Sequence, residues 1–281
     1  MNTLDTGITI SHLTKRFGGS TAAVDDVSLS VPAGAFLVLL GPSGCGKTTI
    51  LRMLAGLASP SDGLIAFGDR VVVEPGGGTV APGKRKAGLV FQSYALWPHM
   101  TVQANVEWPL KVAKWSATER RARVEQVLAL LDISALAARY PGEISGGQQQ
   151  RVAIARMIAP SPSVLLFDEP LSNLDAKLRV DTRAELVRVH RAAGATSVYV
   201  THDQVEAMTM ATHVALMRNG RVEQFGRPEE LVEQPATAFV ATFIGTPPAN
   251  VVRAHAAGGV LTFRGARVST ALPPAILDGE V

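Results

Sequence analysis

Short apolar runs alternate with amphipathic stretches along most of this chain. Ala35-Phe36-Leu37-Val38-Leu39-Leu40 reads as a buried strand, and Gly41 breaks it. Ile50, Met53, Leu54 and Leu57 then fall at i, i+3, i+4 and i+7, one apolar helix face, with Gly56 weakening the helix near its end. Gly88 to Phe91 predicts a further short strand. Val124, Val127, Leu128 and Leu131 repeat the helical spacing, with arginines and Glu125 on the other faces. Both apolar stripes read as core. Ser163 to Phe167 and Ser197 to Val200 predict two more buried strands, and the segment between them, Ala176 to Ala193, predicts a helix. Strand, helix and strand in that order imply parallel strands with right-handed crossovers.

Towards the end, Val214 to Met217 and Arg221 to Phe225 flank Asn219-Gly220, which predicts a hairpin. Pro235 to Asn250 is rich in Ala, Thr, Pro and Gly and predicts a domain boundary. Beyond it lie strand-like pieces, Gly259 to Phe263 and Ala266 to Ser269, and then Pro273-Pro274. Heptads and internal repeats are absent from the sequence.

Composition narrows this picture without changing it. A chain of 281 residues holds one large domain, or one medium domain and a small one. With 47% hydrophobic and 18% charged residues it reads as an ordinary packed globular protein. A net charge of +3 gives no argument for nucleic acid. The basic run Lys84-Arg85-Lys86 follows a Gly/Pro-rich stretch and reads as a solvated loop. The only cysteine is Cys45, so no intrachain disulfide forms and a cytosolic compartment fits. The start, MNTLDTGITISHL, does not read as a secretory signal, and the longest apolar runs are too short to span a bilayer. Any membrane role is therefore expected through a partner.

The chemistry begins at Gly41-Pro42-Ser43-Gly44-Cys45-Gly46-Lys47-Thr48, which meets the pattern G-x-x-x-x-G-K-[ST]. Its glycines let successive N–H groups point at phosphate oxygens, and the following helix adds its positive end. Lys47 is expected to reach the β- and γ-phosphates, and the Thr48 hydroxyl to ligate Mg²⁺. The strand before and helix after give the context this motif needs. Cys45 lies inside the loop beside Lys47. It reads first as a small space-filler and second as a thiol whose alkylation would inhibit and whose protection by ATP would follow.

Val164-Leu165-Leu166-Phe167 ends in Asp168-Glu169, so a strand delivers two acids to its carboxyl end, where ligands sit in open α/β sheets. Asp168 is expected to hold Mg²⁺ and Glu169 to act as general base on the attacking water. His202 follows the next strand and lies within reach of a γ-phosphate at the same edge. The five other histidines have no metal-ligand spacing, so no zinc site is expected.

Ile144-Ser145-Gly146-Gly147-Gln148-Gln149-Gln150-Arg151 supplies a second candidate anion site. Ser145 can cap a helix through Val152, Ile154 and Ala155, and Gly146 and Gly147 leave bare N–H groups at its positive end. This segment resembles the signature of the ATP-binding-cassette (ABC) ATPases, and the resemblance extends over nearly the whole chain to about Asn250. It implies a P-loop NTPase core of mostly parallel sheet flanked by helices. An antiparallel β subdomain precedes it, a helical subdomain at about 93–160 is inserted, and a short β-rich tail follows. The ATPase domain would span 1–236 and the shortened, OB-like regulatory segment 237–281. The resemblance also implies a homodimer in which each ATP lies between one phosphate loop and the partner's signature.

Carried over residue by residue, the family pattern gives Phe17 as the adenine-stacking aromatic, where tyrosine is more usual. Gly41, Pro42, Ser43, Gly44, Cys45, Gly46, Lys47, Thr48 and Thr49 hold the phosphates. Gln92 becomes the Mg²⁺-sensing glutamine. Thr48, Gln92 and Asp168 form the metal set, and Ser145, Gly146, Gly147 and Gln148 the signature face. Leu171-Ser172-Asn173-Leu174-Asp175 becomes the loop that signals across the dimer, with Asp175 at the nucleotide. His202 becomes the switch, and Glu169, His202, Lys47 and Gln92 the catalytic group.

Tyr94 to Val102, Thr201 to Met208 and Phe243 to Val251 together are similar to the maltose and glycerol-3-phosphate importer ATPases, with polyamine and ferric-iron importers close behind. In that group Ala95 to Met100 lies near the groove for a permease coupling helix, and Trp97 reads as a partner contact with core packing as its alternative. Three departures stand out: Ile144 replaces the usual leucine, Lys86 falls where an acid is common, and the tail is shorter than the family's full regulatory domain. The expected role is import of a small solute, a sugar or glycerol-3-phosphate first, at the cytoplasmic face of the inner membrane. Two permease subunits would be contacted directly and a solute-binding protein indirectly. A non-transport ATPase of DNA repair or translation, and an exporter subunit, are the competing classes. The first typically carries two cassettes, zinc modules or a coiled coil, and the segment after Gln92 argues against the second.

Overall fold

The structure, a computed structural model, describes residues 6–18, 21–172, 174–245, 247–252, 255–257, 260–264, 266–268 and 279–280. Asn173, Thr246, Gly259, Ser269 and Pro273-Pro274 lie outside the described residues.

The chain opens with β1 (Ile8–Arg16) and β2 (Ala22–Val31), an antiparallel pair. β3 (Phe36–Leu40) and α1 (Lys47–Ala55) follow, then β4 (Asp62–Phe67), β5 (Arg70–Val73) and β6 (Ala87–Val90). Three helices come next: α2 (Val102–Val112), α3 (Ala117–Leu130) and α4 (Gly146–Ile158). β7 (Val164–Asp168), α5 (Ala176–Ala193), β8 (Thr196–Val200), α6 (Gln204–Met210), β9 (His213–Arg218) and β10 (Arg221–Gly226) complete the core. α7 (Pro228–Glu233) and α8 (Ala238–Phe243) lead to β11 (His255–Ala257), β12 (Val260–Phe263), β13 (Ala266–Val268) and β14 (Gly279–Glu280).

The central sheet runs β10-β9-β3-β8-β7-β6, and a second sheet runs β2-β1-β4-β5. All neighbours in the central sheet are parallel except the β9–β10 hairpin at its edge. The tail forms an antiparallel sheet in the order β13-β12-β11-β14.

The unbroken apolar strands are explained by burial on both faces. In β3, Phe36, Val38 and Leu40 enter the cluster shared with the helices, while Leu37 and Leu39 enter the one shared with α1 and the antiparallel sheet. β7 divides likewise, Leu165 and Phe167 against Val164 and Leu166. α2 packs on α3 and α4, and Val124, Val127, Leu128 and Leu131 are buried there. Val240 of α8 and Ile244 just past it join the helix-side cluster together with Leu231 of α7.

Two expectations along α1 need correction. Gly56 does not weaken the helix; it ends it, in the left-handed conformation with its N–H on the Arg52 and Met53 carbonyls. Leu57 therefore lies beyond the helix and is exposed. Arg85, read as part of a solvated loop, is only 2% exposed. It donates from Nη1 to the Met53 and Leu54 carbonyls, at 2.7 and 3.0 Å, and from Nε to the Val80 carbonyl at 2.7 Å. The guanidinium thus gives the Leu54 carbonyl a donor at the C-terminal end of α1 and adds a second donor to the Met53 carbonyl, which the Gly56 N–H already reaches.

Candidate functional site at the carboxyl edge of the central sheet

β3, β7 and β8 are parallel neighbours, so the loops that leave them emerge at one edge. The phosphate loop leaves β3. Its backbone passes so close to other chain segments that a Cβ on Gly41 would meet the Met217 carbonyl, and one on Gly46 the Ala23 carbonyl. Glycine at both positions is a steric demand, and both have positive φ. Lys47 is buried, and its Nζ donates to the Gly41 and Pro42 carbonyls at 2.7 and 2.8 Å. Cys45 is 4% exposed and packs in the core, with Sγ 3.6 Å from Lys47 Nζ. Burial favours the space-filling reading of this cysteine over the reactive one. Pro42, Ser43 and Gly44 are exposed at the crown of the loop, and Thr49 is half-buried in the first turn of α1.

Thr48 Oγ1 donates to Asp168 Oδ1 at 3.0 Å, joining the start of α1 to the end of β7. Burial raises the Asp168 carboxyl above its ordinary range. The Thr48 hydroxyl and the charge of Arg52 oppose that rise, and adjacent Glu169 adds to it. Glu169 has φ 44, unusual for a residue with a side chain. Its N–H bonds the Val200 carbonyl at 3.2 Å, and its carbonyl accepts the Ser172 hydroxyl at 2.9 Å. The turn is thereby tied to β8 on one side and to the loop after β7 on the other. Glu169 Oε2 lies 3.5 Å from His202 Nδ1. Both line a cavity of about 50 Å³ with Ser172, Arg179, Thr201, Asp203 and Glu206.

The remaining sequence-predicted residues lie around this edge or apart from it. Gln92 is exposed two residues past β6. Phe17, just beyond β1, is 64% exposed, with Lys15 Nζ 4.9 Å from its ring centre. Ser145 caps α4: its Oγ accepts the Gln148 N–H at 3.3 Å, and Gln148 Oε1 accepts the Ser145 N–H at 2.9 Å. Ser145 and Gly146 are exposed at that helix end, and Gly147 backs onto Leu178. Asp175 is exposed and caps α5 through the Leu178 N–H at 2.9 Å. Among the described residues, no hydrogen bond links the signature turn to the phosphate loop.

The Ala95–Met100 segment is held more firmly than its sequence suggests. Tyr94 and Ala95 both have positive φ. Arg156 of α4 donates to the Ala95 and Tyr94 carbonyls at 2.7 and 2.9 Å, and its guanidinium sits 4.7 Å from the Trp97 ring centre. Buried Asn105 donates to the Trp97, Met100 and Thr101 carbonyls. Trp97 is half-buried and packs edge-on against Trp108 at 6.0 Å. Sequence reasoning missed Arg156 and Asn105, since each sits in an ordinary helical pattern and works through backbone carbonyls far away.

The family description ABC transporter matches residues 24–172. The trehalose/maltose import ATP-binding protein MalK of Thermococcus litoralis is 53% identical over 249 residues, covering 88% of this chain and 67% of that protein. The sn-glycerol-3-phosphate import ATP-binding protein UgpC of Rhizobium meliloti is 51% identical over 245 residues, covering 87% and 69%. Among solved structures, the dimeric post-hydrolysis state of the ATP-binding cassette MJ0796, bound to ADP and Pi, overlays with a TM-score of 0.67 at 31% identity, covering 79% of this chain and 98% of that one. A second dimeric structure of MJ0796, described as a bacterial ABC transporter cassette, overlays with a TM-score of 0.68 at the same identity. On the family match and these relatives, the chain belongs to the ABC transporter family as an ATP-binding, ATP-hydrolysing subunit similar to the import proteins.

Proposed function

We propose that this chain forms a homodimer that clamps ATP and drives uptake of a small solute through two permease subunits, a sugar or glycerol-3-phosphate being the first choice. The observation that carries the catalytic part is the convergence of Thr48 with Asp168 and of Glu169 with His202 at adjacent strand ends. The names and similarity of the import relatives support the choice of solute.

In this reading Phe17 stacks on the adenine and the N–H groups of 41–49 bind the phosphates. Lys47 exchanges its carbonyl partners for the β- and γ-phosphates. The oxygens of Thr48 and Asp168 suit a hard cation, so with Gln92 they would hold Mg²⁺, which neutralises phosphate charge when bound. Glu169 orients the attacking water and takes its proton at the carboxylate, and His202 holds that carboxylate and the γ-phosphate side of the site. Ser145, Gly146, Gly147 and Gln148 of the second copy, with Asp175 near the same nucleotide, close the clamp. The solvent-exposed signature turn leaves that face accessible to a partner. Residues 1–236 act as the ATPase unit with 93–160 as the helical subdomain, and 237–281 as an appended β-rich segment.

Among the described residues no helix is long and apolar enough to cross a membrane. Permease subunits then supply the membrane contact, through Ala95–Met100, and the ATPase sits peripherally at the cytoplasmic face. The braced Trp97 platform supports that contact. Lys47→Ala is expected to lose ATP hydrolysis, and Glu169→Gln to bind ATP, lose turnover and elute as a dimer in ATP. Normal hydrolysis by Glu169→Gln would remove the base assignment. Uptake into vesicles holding the whole transporter decides the solute: trehalose, maltose and glycerol-3-phosphate are tested against a polyamine and ferric iron.

A further inference from the structure

Glu206 is a carboxylate beside the site with no task in the hydrolysis scheme above. It stands in the first turn of α6, 4% exposed. One of its oxygens, Oε2, accepts two hydroxyls, Thr201 Oγ1 at 2.6 Å and Tyr199 OH at 2.9 Å. Hydrogen bonds from the two hydroxyls offset the cost of burying the carboxyl group.

Thr201 is the pivot of the arrangement. Its hydroxyl donates a hydrogen bond to Glu206 and accepts one from the Asp203 N–H at 3.0 Å. Its own N–H bonds the Leu39 carbonyl at 3.2 Å, next to the strand end from which the phosphate loop starts. Asp203 Oδ1 in turn accepts the N–H groups of Val205 at 2.7 Å and Glu206 at 3.2 Å, so the turn closes onto the helix that carries the carboxylate. His202 therefore lies between two neighbours that are both tied down. Its own side chain is 61% exposed and meets Glu169 across 3.5 Å. The imidazole has little packing to fix it, and the turn beneath it must do so.

We propose that Glu206 is a positioning residue for ATP hydrolysis: through the Thr201 hydroxyl it fixes the turn that presents His202 to Glu169. The inference rests on the assignment of His202 to the ATP site. Loss of the carboxylate frees the Thr201 hydroxyl, slackens the turn and moves the imidazole; a misplacement of about 1 Å costs on the order of a hundredfold in rate.

The test uses the full-length protein, with hydrolysis measured in steady state and in single turnover. Glu206→Ala is expected to lower kcat by about tenfold or more with KM for ATP within about twofold of the parent. Glu206→Gln, whose amide oxygen still accepts both hydroxyls, keeps more of kcat than Glu206→Ala. In a His202→Ala background, Glu206→Ala is expected to cost little further rate, because the residue acts through His202. A general weakening of the fold would lower both backgrounds by the same factor. Histidine-labelled protein gives a second readout. The His202 imidazole resonance, assigned by its loss in His202→Gln, should shift in Glu206→Ala and in Thr201→Val. Thr201→Val breaks the same link from the turn side, so it decides the matter if Glu206→Ala does not fold. The resonance decides it if His202→Ala is too slow to measure. Parental kcat in Glu206→Ala, equal losses in both backgrounds, or an unmoved resonance overturns the inference. Full activity of His202→Ala would overturn the His202 assignment and the inference with it.

Discussion

Asp168 carries a cost that its position imposes. Its carboxyl is raised from the ordinary value chiefly by burial, in spite of the Thr48 hydroxyl and Arg52. A group whose pKa is higher folded than unfolded binds its proton more tightly in the fold. Its favourable contribution is present below the unfolded value, about 3.9 for aspartate, and is lost as pH rises through the raised value. Ionised Asp168 therefore burdens the free protein at neutral pH. Asp168→Asn is expected to raise Tm at neutral pH without nucleotide or Mg²⁺, with the gain shrinking as pH approaches about 4, and to lower hydrolysis. Equal melting temperatures at neutral pH would refute this. The phosphate loop, Asp168-Glu169 and His202 were legible in the sequence because each is a local string at a strand end. The task of Glu206 was not, because it depends on where the hydroxyls of Tyr199 and Thr201 land in three dimensions.

Elements were legible to differing degrees, for reasons that can be named. β3, β7 and β8 stand out because burial on both faces makes them continuously apolar. β1 was not found by periodicity, since bulges break its alternation: register shifts fall between Ile10 and Leu13 and again near Lys15. β2 is irregular only in its first half, and from Val27 to Val31 buried and exposed residues alternate, so that stretch does carry a strand signal. His12 and Asp26, with φ 50 and 54, mark the irregular positions. The end of α1 was misread for another reason. Its stabilising cation comes from a distant part of the chain and looks like surface charge in the sequence. Arg85→Ala would take the guanidinium from the Leu54 and Val80 carbonyls and one of two donors from the Met53 carbonyl, and is expected to cost about 3 kcal/mol in denaturant unfolding. Arg85→Lys recovers only part of that, since one ammonium cannot reproduce the spread of the guanidinium. A loss below about 1 kcal/mol would show that water replaces the cation freely.

At the scale of the whole molecule, the proposed clamp accounts for two exposed glycine-rich helix starts in one chain, at Gly44 and at Ser145-Gly146. The central sheet carries the chemistry at one edge, and the helical layer carries Arg156 and the Trp97 platform. α4 spans both concerns, with the signature at its N-terminus and Arg156 in its last turns.

The hairpin between β9 and β10 has a consequence for anyone who would re-engineer this chain. Surface turns normally accept inserted sequence. At this one the Gly220 N–H bonds the Cys45 carbonyl at 3.1 Å, the Gly220 carbonyl accepts the Asp25 N–H at 2.9 Å, and Arg221 grips Asp25 at 2.7 Å. The Gly76–Gly77 turn has open space around both residues. A fluorescent domain spliced after Gly77 should leave ATP hydrolysis near the parental rate, whereas the same domain after Asn219 should abolish nucleotide binding while the protein still folds. Equal tolerance at both sites, read by nucleotide affinity, would contradict this. The hairpin is then a place to couple an outside signal to the phosphate loop, and a poor place for a passive tag.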